Sequence, residues 1–362
     1  MLYFRIDVCD VIKCSINYLV VAALVMFSAP LYAGGQTTGI GVLAKGKNSI
    51  AQGVSADGSV VVGYNDTADY RTQAFRWTQS GGMTDLGLFP GAVDAVAHGV
   101  SADGSVIVGY GHAPGGSHAF RWTQTSGMVD LGIMPGGAYT KAMGVSADGS
   151  VIVGYDIKPE SRAFRWTQPG GMADLGFLPG DSESRAYGAS ADGSVVVGYS
   201  VNSDGRRQAF RWTKSGGMVG LGYLPGGNNS AAVGVSADGS VVVGRSHSRS
   251  GDRAFRWTLA GGMIGLGTLP GCTVSRAFGV SADGAAVVGY SECGSHDRAF
   301  RWTKSGGMVG LDFLPGGKLY GDGAFPANSG AFAASADGSV VVGQSTSSEG
   351  NQAFRWMEER NK

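Results

Sequence analysis

Apolar and polar positions alternate in short runs along this chain, and the same runs return at regular intervals. The run AFRWT at 74–78 alternates with a period of two, which places Phe75 and Trp77 on one face of a strand. The run SVVVGY at 59–64 is rich in β-branched residues and follows a tight-turn sequence. Short strands of this kind, joined by glycine-rich turns, predict an all-β protein.

Both runs belong to one repeat. Ser-Ala-Asp-Gly occurs seven times, and Ala-Phe-Arg-Trp occurs seven times and contains every Trp of the chain. Copies follow one another at 44 to 46 residues, except the last, which follows at 54. Each unit predicts four strands. An Asp-Gly turn joins the first strand to the second. A variable loop of up to about ten residues precedes the third strand, and a Ser-Gly-Gly turn precedes the fourth. This is the size of one β-propeller blade.

The alternative architecture is a β-solenoid, in which repeats stack in an open row. The last unit stops after its third strand, around Phe354, while residues 37–44 resemble a fourth strand without a unit of its own. In a closed ring these two segments pair and protect both strand edges, whereas a solenoid has no use for such an arrangement. We therefore predict a seven-bladed β-propeller of four-stranded blades, closed by an N-terminal strand that completes the last blade.

Charge narrows the classes of partner. Charged residues make up only 15% of the 362 residues, and 28 basic side chains balance 28 acidic ones. A neutral chain exerts no long-range attraction on nucleic acid or on anionic lipid. We expect neither a nucleic-acid partner nor a cofactor.

The N-terminus is typical of a secretory signal. An apolar stretch at 18–27 precedes the small-residue tail SAPLYA, and cleavage after Ala33 would place Leu31 and Ala33 at the two recognised positions. The stretch is too short to span a membrane comfortably. We predict a signal peptide at 1–33 and a propeller at 34–362, exported to the periplasm, the cell surface or the medium, with no stable membrane insertion after cleavage.

The repeat resembles the bacterial HAF repeats, a family of predicted extracellular repeat proteins. The resemblance rests on HAFRW at 118–122 and MVDLG at 128–132, and it recurs in every unit from 37 to 357. The other six copies have a different residue at the position equivalent to His118. These residues are Gln73, Arg162, Gln208, Arg253, Arg298 and Gln352. The family has no established activity, so the resemblance implies location and architecture rather than chemistry.

Residues present in every unit are most simply structural. We interpret each Asp of Ser-Ala-Asp-Gly as holding its turn and each Arg of Ala-Phe-Arg-Trp as pairing or stacking within its blade, rather than as rings for metals or anions. His112 and His118 share one loop, but no Cys or carboxylate joins them there, so we predict no metal site. No catalytic motif is present, and no catalytic residue is predicted.

Features present once are better candidates for function. The connection from Leu314 to Gly338 spans 25 residues where its counterpart from Leu224 to Gly239 spans 16. It lies on the same face as the variable loops between second and third strands, and we expect a partner to bind there. The candidate contact residues are Lys318, Tyr320, Asp322, Phe325, Tyr70, Arg71, Arg206 and Arg207.

We therefore predict a secreted or periplasmic, non-catalytic binding or scaffold protein for an unknown protein or glycan. One alternative is a glycan-active hydrolase or lyase on a propeller, which a cluster of acids on the ring axis would favour. An aromatic or charged rim would favour binding. A second alternative is a structural surface protein.

Two cysteines remain after removal of the predicted signal. Cys272 lies at the start of the first strand of one unit, and Cys293 lies just beyond its second strand. Partners across a hairpin share a nearly constant sum of residue numbers. A turn at Asp283 and Gly284 gives 567, and the two cysteines give 565. They should lie opposite each other, and export permits a Cys272–Cys293 disulfide.

Overall fold

The structure is a computed structural model that describes residues 34–44, 46–157, 160–317 and 328–359. The predicted signal peptide and the candidate residues Lys318, Tyr320, Asp322 and Phe325 lie outside these residues. The described chain forms 28 strands in seven four-stranded sheets, each with antiparallel neighbours. It contains no helix of the length and apolarity that a membrane span requires. The predicted propeller of seven blades is confirmed.

The blades are numbered I to VII in the order of their first strands, which lie innermost. The first strands are β2 (Gly46–Val54), β6 (Asp94–Val100), β10 (Tyr139–Val145), β14 (Asp181–Ala189), β18 (Ser230–Val235), β22 (Val274–Val280) and β26 (Ser329–Ala334). The second strands are β3 (Val60–Thr67), β7 (Val106–Ala113), β11 (Val151–Ile157), β15 (Val195–Asn202), β19 (Val241–Ser248), β23 (Ala286–Cys293) and β27 (Val340–Ser347). The third strands are β4 (Thr72–Thr78), β8 (Gly116–Thr123), β12 (Ser161–Thr167), β16 (Arg207–Thr213), β20 (Gly251–Thr258), β24 (His296–Thr303) and β28 (Gly350–Glu358). The fourth strands are β5 (Gly82–Asp85), β9 (Gly127–Asp130), β13 (Gly171–Asp174), β17 (Gly217–Gly220), β21 (Gly262–Gly265), β25 (Gly307–Gly310) and, for blade VII, β1 (Gly35–Gly39).

Strand β1 closes the ring as predicted, because it pairs with β28 from Gly35 opposite Glu358 to Gly39 opposite Phe354. It begins two residues earlier than the predicted segment 37–44 and ends sooner. The strand ends there because Gly41 adopts a φ of 83°, which turns the chain away from the sheet.

A circuit of backbone hydrogen bonds also closes the ring. The N–H of the Ala in each Ser-Ala-Asp-Gly turn donates to the carbonyl oxygen of the same Ala in the next blade, from Ala56 to Ala102 onwards. The circuit returns from Ala336 to Ala56 at 2.9 Å. An open solenoid has no bond from its last repeat to its first, so this geometry excludes the alternative architecture.

The apolar core lies between neighbouring blades. Phe210 of blade IV is fully buried in a cluster with Val151 and Val153 of blade III. Equivalent clusters fill the other blade interfaces. Burying one Phe side chain contributes roughly 1.5–3 kcal/mol, so the repeated Phe explains much of the attraction between blades.

The repeated Asp holds its turn, as interpreted from the sequence. In blade I, Asp57 Oδ1 accepts hydrogen bonds from the Ser55 hydroxyl at 2.7 Å and from the Ser59 N–H at 2.9 Å. The Gly58 that follows has a φ of 72°, which other residues adopt only with strain.

The repeated Arg is structural, as interpreted from the sequence, but its hydrogen-bond partner lies in the neighbouring blade rather than in its own. Arg165 of blade III donates from Nε to the Gly193 carbonyl oxygen of blade IV at 3.2 Å, and four other copies do the same. The reason is strand alternation: Ala163 packs towards blade IV, and Arg165 shares its face, while Phe164 packs towards blade II. This Arg therefore joins neighbouring blades.

The predicted variable loops are shorter than expected. In blades II, V, VI and VII only two residues separate the second and third strands. The variable residues continue the strand ladder, as where His112 pairs with Ser117. We call the face that carries these turns and the fourth-to-first connections the variable face, and the opposite face, with the Asp-Gly turns, the turn face.

The predicted disulfide is confirmed. Cys272 and Cys293 are bonded, with their Cα atoms 4.0 Å apart. The bond lies at the variable face, where Val274 pairs with Glu292 in the adjoining ladder.

Candidate ligand-binding site on the propeller axis

Each first strand carries a β-bulge at the same place. In blade I the pairing register shifts between Ala51 and Gly53, so Gln52 has no partner in the ladder. The second strand approaches closely here, because a Cβ on Gly63 would lie 1.9 Å from the Ile50 carbonyl oxygen. Only glycine fits, and the same glycine occurs in every blade, as Gly63, Gly109, Gly154, Gly198, Gly244, Gly289 and Gly343.

The bulge aims one side chain of each blade at the propeller axis. We call these seven residues the axial ring: Gln52, His98, Met143, Tyr187, Val233, Phe278 and Phe332. All of them line a cavity of about 470 Å³, the axial cavity, which lies towards the variable face. Four of them, Gln52, His98, Phe278 and Phe332, also line a smaller cavity of about 200 Å³ on the turn-face side. The ring therefore lies between the two cavities and forms the floor of the larger one.

Arginines and tyrosines form the upper wall of the axial cavity. Arg207 begins the third strand of blade IV, and its guanidinium lies over the Tyr199 ring at 4.9 Å. In blade VI, Arg276 lies over Tyr290 at 5.6 Å and donates to its hydroxyl at 2.6 Å. Arg245 takes the tyrosine position in blade V. Cation–π contacts of this kind contribute about 0.5–2 kcal/mol each and fix the orientation of the cation.

Two more cation–tyrosine contacts flank the cavity. Lys141 Nζ lies 4.0 Å from the centre of the Tyr110 ring, and the Arg185 guanidinium lies 4.9 Å from that of Tyr155. In both pairs the cation comes from the first strand of one blade and the tyrosine from the second strand of the preceding blade. Neither cation forms an ion pair within the described residues.

Two carboxylates compensate part of the positive charge. Asp252 lies between Arg245, at 3.9 Å, and Arg276, at 3.8 Å. Glu292 pairs with Arg276 at 3.0 Å. Among the three arginines that line the axial cavity, Arg207 is the one without an ion pair in the part of the chain that the structure describes.

Aromatic rings also line the axial cavity. Phe278 contacts Phe332 edge-on, with the ring centres 5.5 Å apart, and stacks on Tyr290 at 5.6 Å. Tyr187 stacks on Tyr199 at 5.7 Å. The axial cavity thus combines apolar ring faces with guanidinium groups.

Tyrosines and one histidine near the axis are neutral at pH 7. Burial raises the pKa of Tyr187 and of Tyr290, and it raises the pKa of Tyr110 to about 12, so these phenols keep their protons and donate hydrogen bonds at neutral pH. Burial, assisted by the charge of Lys141, lowers the pKa of His98 to about 4.

Carboxylates are absent from the described lining of the axial cavity. Within the described ranges, no group of three or more His, Cys, Asp or Glu side chains is placed to hold a metal ion. The carboxylates paired with the arginines of this cavity are Asp252 and Glu292.

The four sequence-predicted contact residues that the structure describes are scattered over the variable face. Arg207 lines the axial cavity, whereas Arg206 does not, and both side chains are exposed. Tyr70 is 95% exposed at a turn of blade I, with a φ of 60°. Arg71 lines a separate groove between blades I and II. The structure thus brings one of the described candidates to the axis.

Sequence reasoning missed the axial ring, although the repeat contains a signal for it. The residue before Gly-Val-Ser or its equivalent differs in almost every copy, while the residue before that is always Ala. A variable position between an invariant Ala and a Gly that occurs in six of the seven copies indicates a side chain that the turns and the blade interfaces do not constrain.

No family model and no curated protein sequence matches this chain. Solved structures with a similar fold include an oligogalacturonate lyase in complex with manganese, with a TM-score of 0.60, 13% identity, and coverage of 92% of this chain and 97% of that one. An oligogalacturonate lyase from Vibrio parahaemolyticus has a TM-score of 0.60 and 11% identity over 91% of this chain and 97% of its own. TolB from Acinetobacter baumannii has a TM-score of 0.45 and 15% identity, over 59% of this chain and 52% of its own. The likeness to the two lyase structures, at 11–13% identity, shows the class of fold alone, a β-propeller.

Proposed function

We propose that this protein is an exported, non-catalytic binding propeller whose ligand enters the axial cavity from the variable face. One observation carries the proposal: one variable position of each repeat, seven positions in all, lines a single cavity. The invariant Asp, Arg and Phe of the repeat serve the turns and the blade interfaces. The disulfide supports export, since such bonds persist in oxidising compartments.

The residues of the cavity favour binding over the alternative of a glycan-active hydrolase or lyase. The described wall is aromatic and cationic and contains no acid that could protonate a leaving group. His98 carries a pKa of about 4 and is therefore a weak base at neutral pH. The likeness to lyase structures concerns the fold alone.

The proposal is tested with residues 34–362 on glycan and protein arrays, using a variant that fills the cavity. Val233→Trp adds an indole to the axial ring, where the present side chain lines open space. Leu259→Trp is the matched control, because Leu259 is 89% exposed on the turn face. We expect the wild type and Leu259→Trp to bind the same array ligand and Val233→Trp to lose it while keeping its melting temperature. Binding that survives in Val233→Trp contradicts an axial site.

A further inference from the structure

We infer that the ligand is an acidic saccharide, whose terminal unit enters the axial cavity and places one carboxylate against Arg207. The inference rests on the proposed function and names the chemical class that the same cavity recognises. Three features carry it: one unpaired guanidinium, the charge balance of the wall, and the arrangement of aromatic rings and phenols.

The first feature is the unpaired guanidinium of Arg207. Its central carbon lies 4.9 Å from the centre of the Tyr199 ring, and its backbone N–H donates to Asn229 Oδ1 at 3.0 Å. Within the described residues no carboxylate forms an ion pair with this guanidinium. A planar fork of N–H groups matches the two oxygens of a carboxylate.

The second feature is the charge balance. Three arginines line the axial cavity, and two carboxylates, Asp252 and Glu292, are paired with Arg245 and Arg276. Arg207 has no ion pair among the described residues, and neither have Lys141 and Arg185, which flank the cavity. The wall therefore carries a net positive charge, which favours an anionic group such as a carboxylate.

The third feature is the chemistry of the remaining wall. Phe278, Phe332 and Tyr290 present ring faces, and a pyranose ring has an apolar face of C–H groups that packs on such a surface. Tyr187 and Tyr290 stay protonated, so their hydroxyls donate to sugar oxygens. The volume of about 470 Å³ falls in the range of small-molecule sites.

The experiment uses calorimetric titration of residues 34–362 with a matched pair of ligands. These are a uronic-acid trisaccharide and the same trisaccharide with its carboxyls reduced to primary alcohols. Glucose 6-phosphate is a third ligand, which tests whether a phosphate replaces the carboxylate. We expect the uronic trisaccharide to bind roughly tenfold or more tightly than its reduced form and than glucose 6-phosphate, since charge-assisted bonds exceed neutral ones.

Variants assign the effect to one residue. Arg207→Ala should weaken binding of the uronic trisaccharide roughly tenfold or more while leaving the reduced form little changed. Arg207→Lys keeps the charge but not the fork and should recover only part of the affinity. Arg249→Ala is the matched control, since Arg249 is an exposed cation on the same face that does not line the axial cavity.

The outcomes separate this inference from the proposed function. Equal affinity for the reduced trisaccharide, tighter binding of glucose 6-phosphate, or no binding of the uronic trisaccharide overturns the acidic-sugar inference and leaves the axial site to the array test. Binding of the uronic trisaccharide that Arg207→Ala does not weaken also overturns it. Binding that survives Val233→Trp places the ligand elsewhere and overturns both proposals.

Discussion

Gly35 lies so close to the indole of Trp356 that a Cβ atom on Gly35 would sit 2.4 Å from the ring carbon Cε2. Trp356 is fully buried, whereas the other six Trp residues of the chain are half-buried. The difference arises in blade VII, whose fourth strand is β1, where Thr37 pairs with Trp356 in place of the Met found in the other blades. Ring closure therefore depends on a glycine at the start of β1.

Gly35→Ala should destabilise the propeller by about 1–3 kcal/mol, because the added methyl group must displace the buried indole or the strand. Gly34→Ala is the matched control, since no atom lies within 4 Å of a Cβ there. Urea unfolding followed by Trp fluorescence measures both variants. Equal stability of the two would show that β1 does not hold Trp356 in place.

Replacing both Cys272 and Cys293 by Ser should lower the free energy of unfolding by about 3 kcal/mol in the chain-entropy model, because the bond closes a separation of 21 residues. Peptide mapping without reductant, on protein from an oxidising compartment, should recover the two cysteines as one cross-linked pair. Two alkylated thiols in the folded, unreduced protein would refute the bond.

Stability should decline in acid because of the Asp-Gly turns. Hydrogen bonds from the hydroxyl of Ser101 and from Ser105 lower the pKa of Asp103 to about 2. As the pH falls, this Asp side chain is therefore protonated first in the unfolded chain, near its ordinary pKa of about 3.9. The stabilisation is present above about pH 4 and is lost as the pH falls towards 2. The pKa of the Asp is lowered in the six equivalent turns too.

Melting temperatures measured from pH 7 to pH 2 test this expectation. Ser101→Ala removes the strongest cause of the shift at Asp103, so its melting curve should depend less on pH below 4. At neutral pH it should also cost about 1–3 kcal/mol, because the Val106 N–H loses its buried acceptor. A wild-type melting temperature that stays constant down to pH 2 would contradict the argument.

The bulges predict a strong effect of Gly198→Ala. Its Cβ would lie 1.9 Å from the carbonyl oxygen of Arg185, and backbone atoms cannot move aside as a side chain can. We expect Gly198→Ala to lower the free energy of unfolding by about 1–3 kcal/mol. It should also weaken ligand binding, because the bulge that aims Tyr187 at the axis is displaced. Gly265→Ala is the control, since its nearest contact is the flexible Leu224 side chain at 3.4 Å.

The architecture could be predicted because the seven copies of the repeat can be compared with one another. The unpaired strand around Phe354 predicted the closing strand, and hairpin arithmetic predicted the partner of Cys293. The predicted ends of the second and third strands were less accurate, because residues such as His112 vary between copies but still pair within the ladder. The resemblance to HAF repeats and the signal peptide stay predictions.

The axial site could not be predicted for two physical reasons. A bulge interrupts the period-two alternation of the first strand, so the sequence does not show to which side Gln52 or His98 points. Contacts between blades, such as that of Lys141 with Tyr110, depend on the closeness of neighbouring blades rather than on spacing along the chain.

The bulge at Gln52 and its six counterparts also bears on how such chains diverge. A substitution there alters no turn, no interblade hydrogen bond and no buried Phe contact, so a lineage can exchange these side chains one at a time without loss of foldability. Paralogues that share every Ser-Ala-Asp-Gly and every Ala-Phe-Arg-Trp can therefore have unrelated ligands. A comparison of the seven axial side chains will separate them where the rest of the repeat cannot.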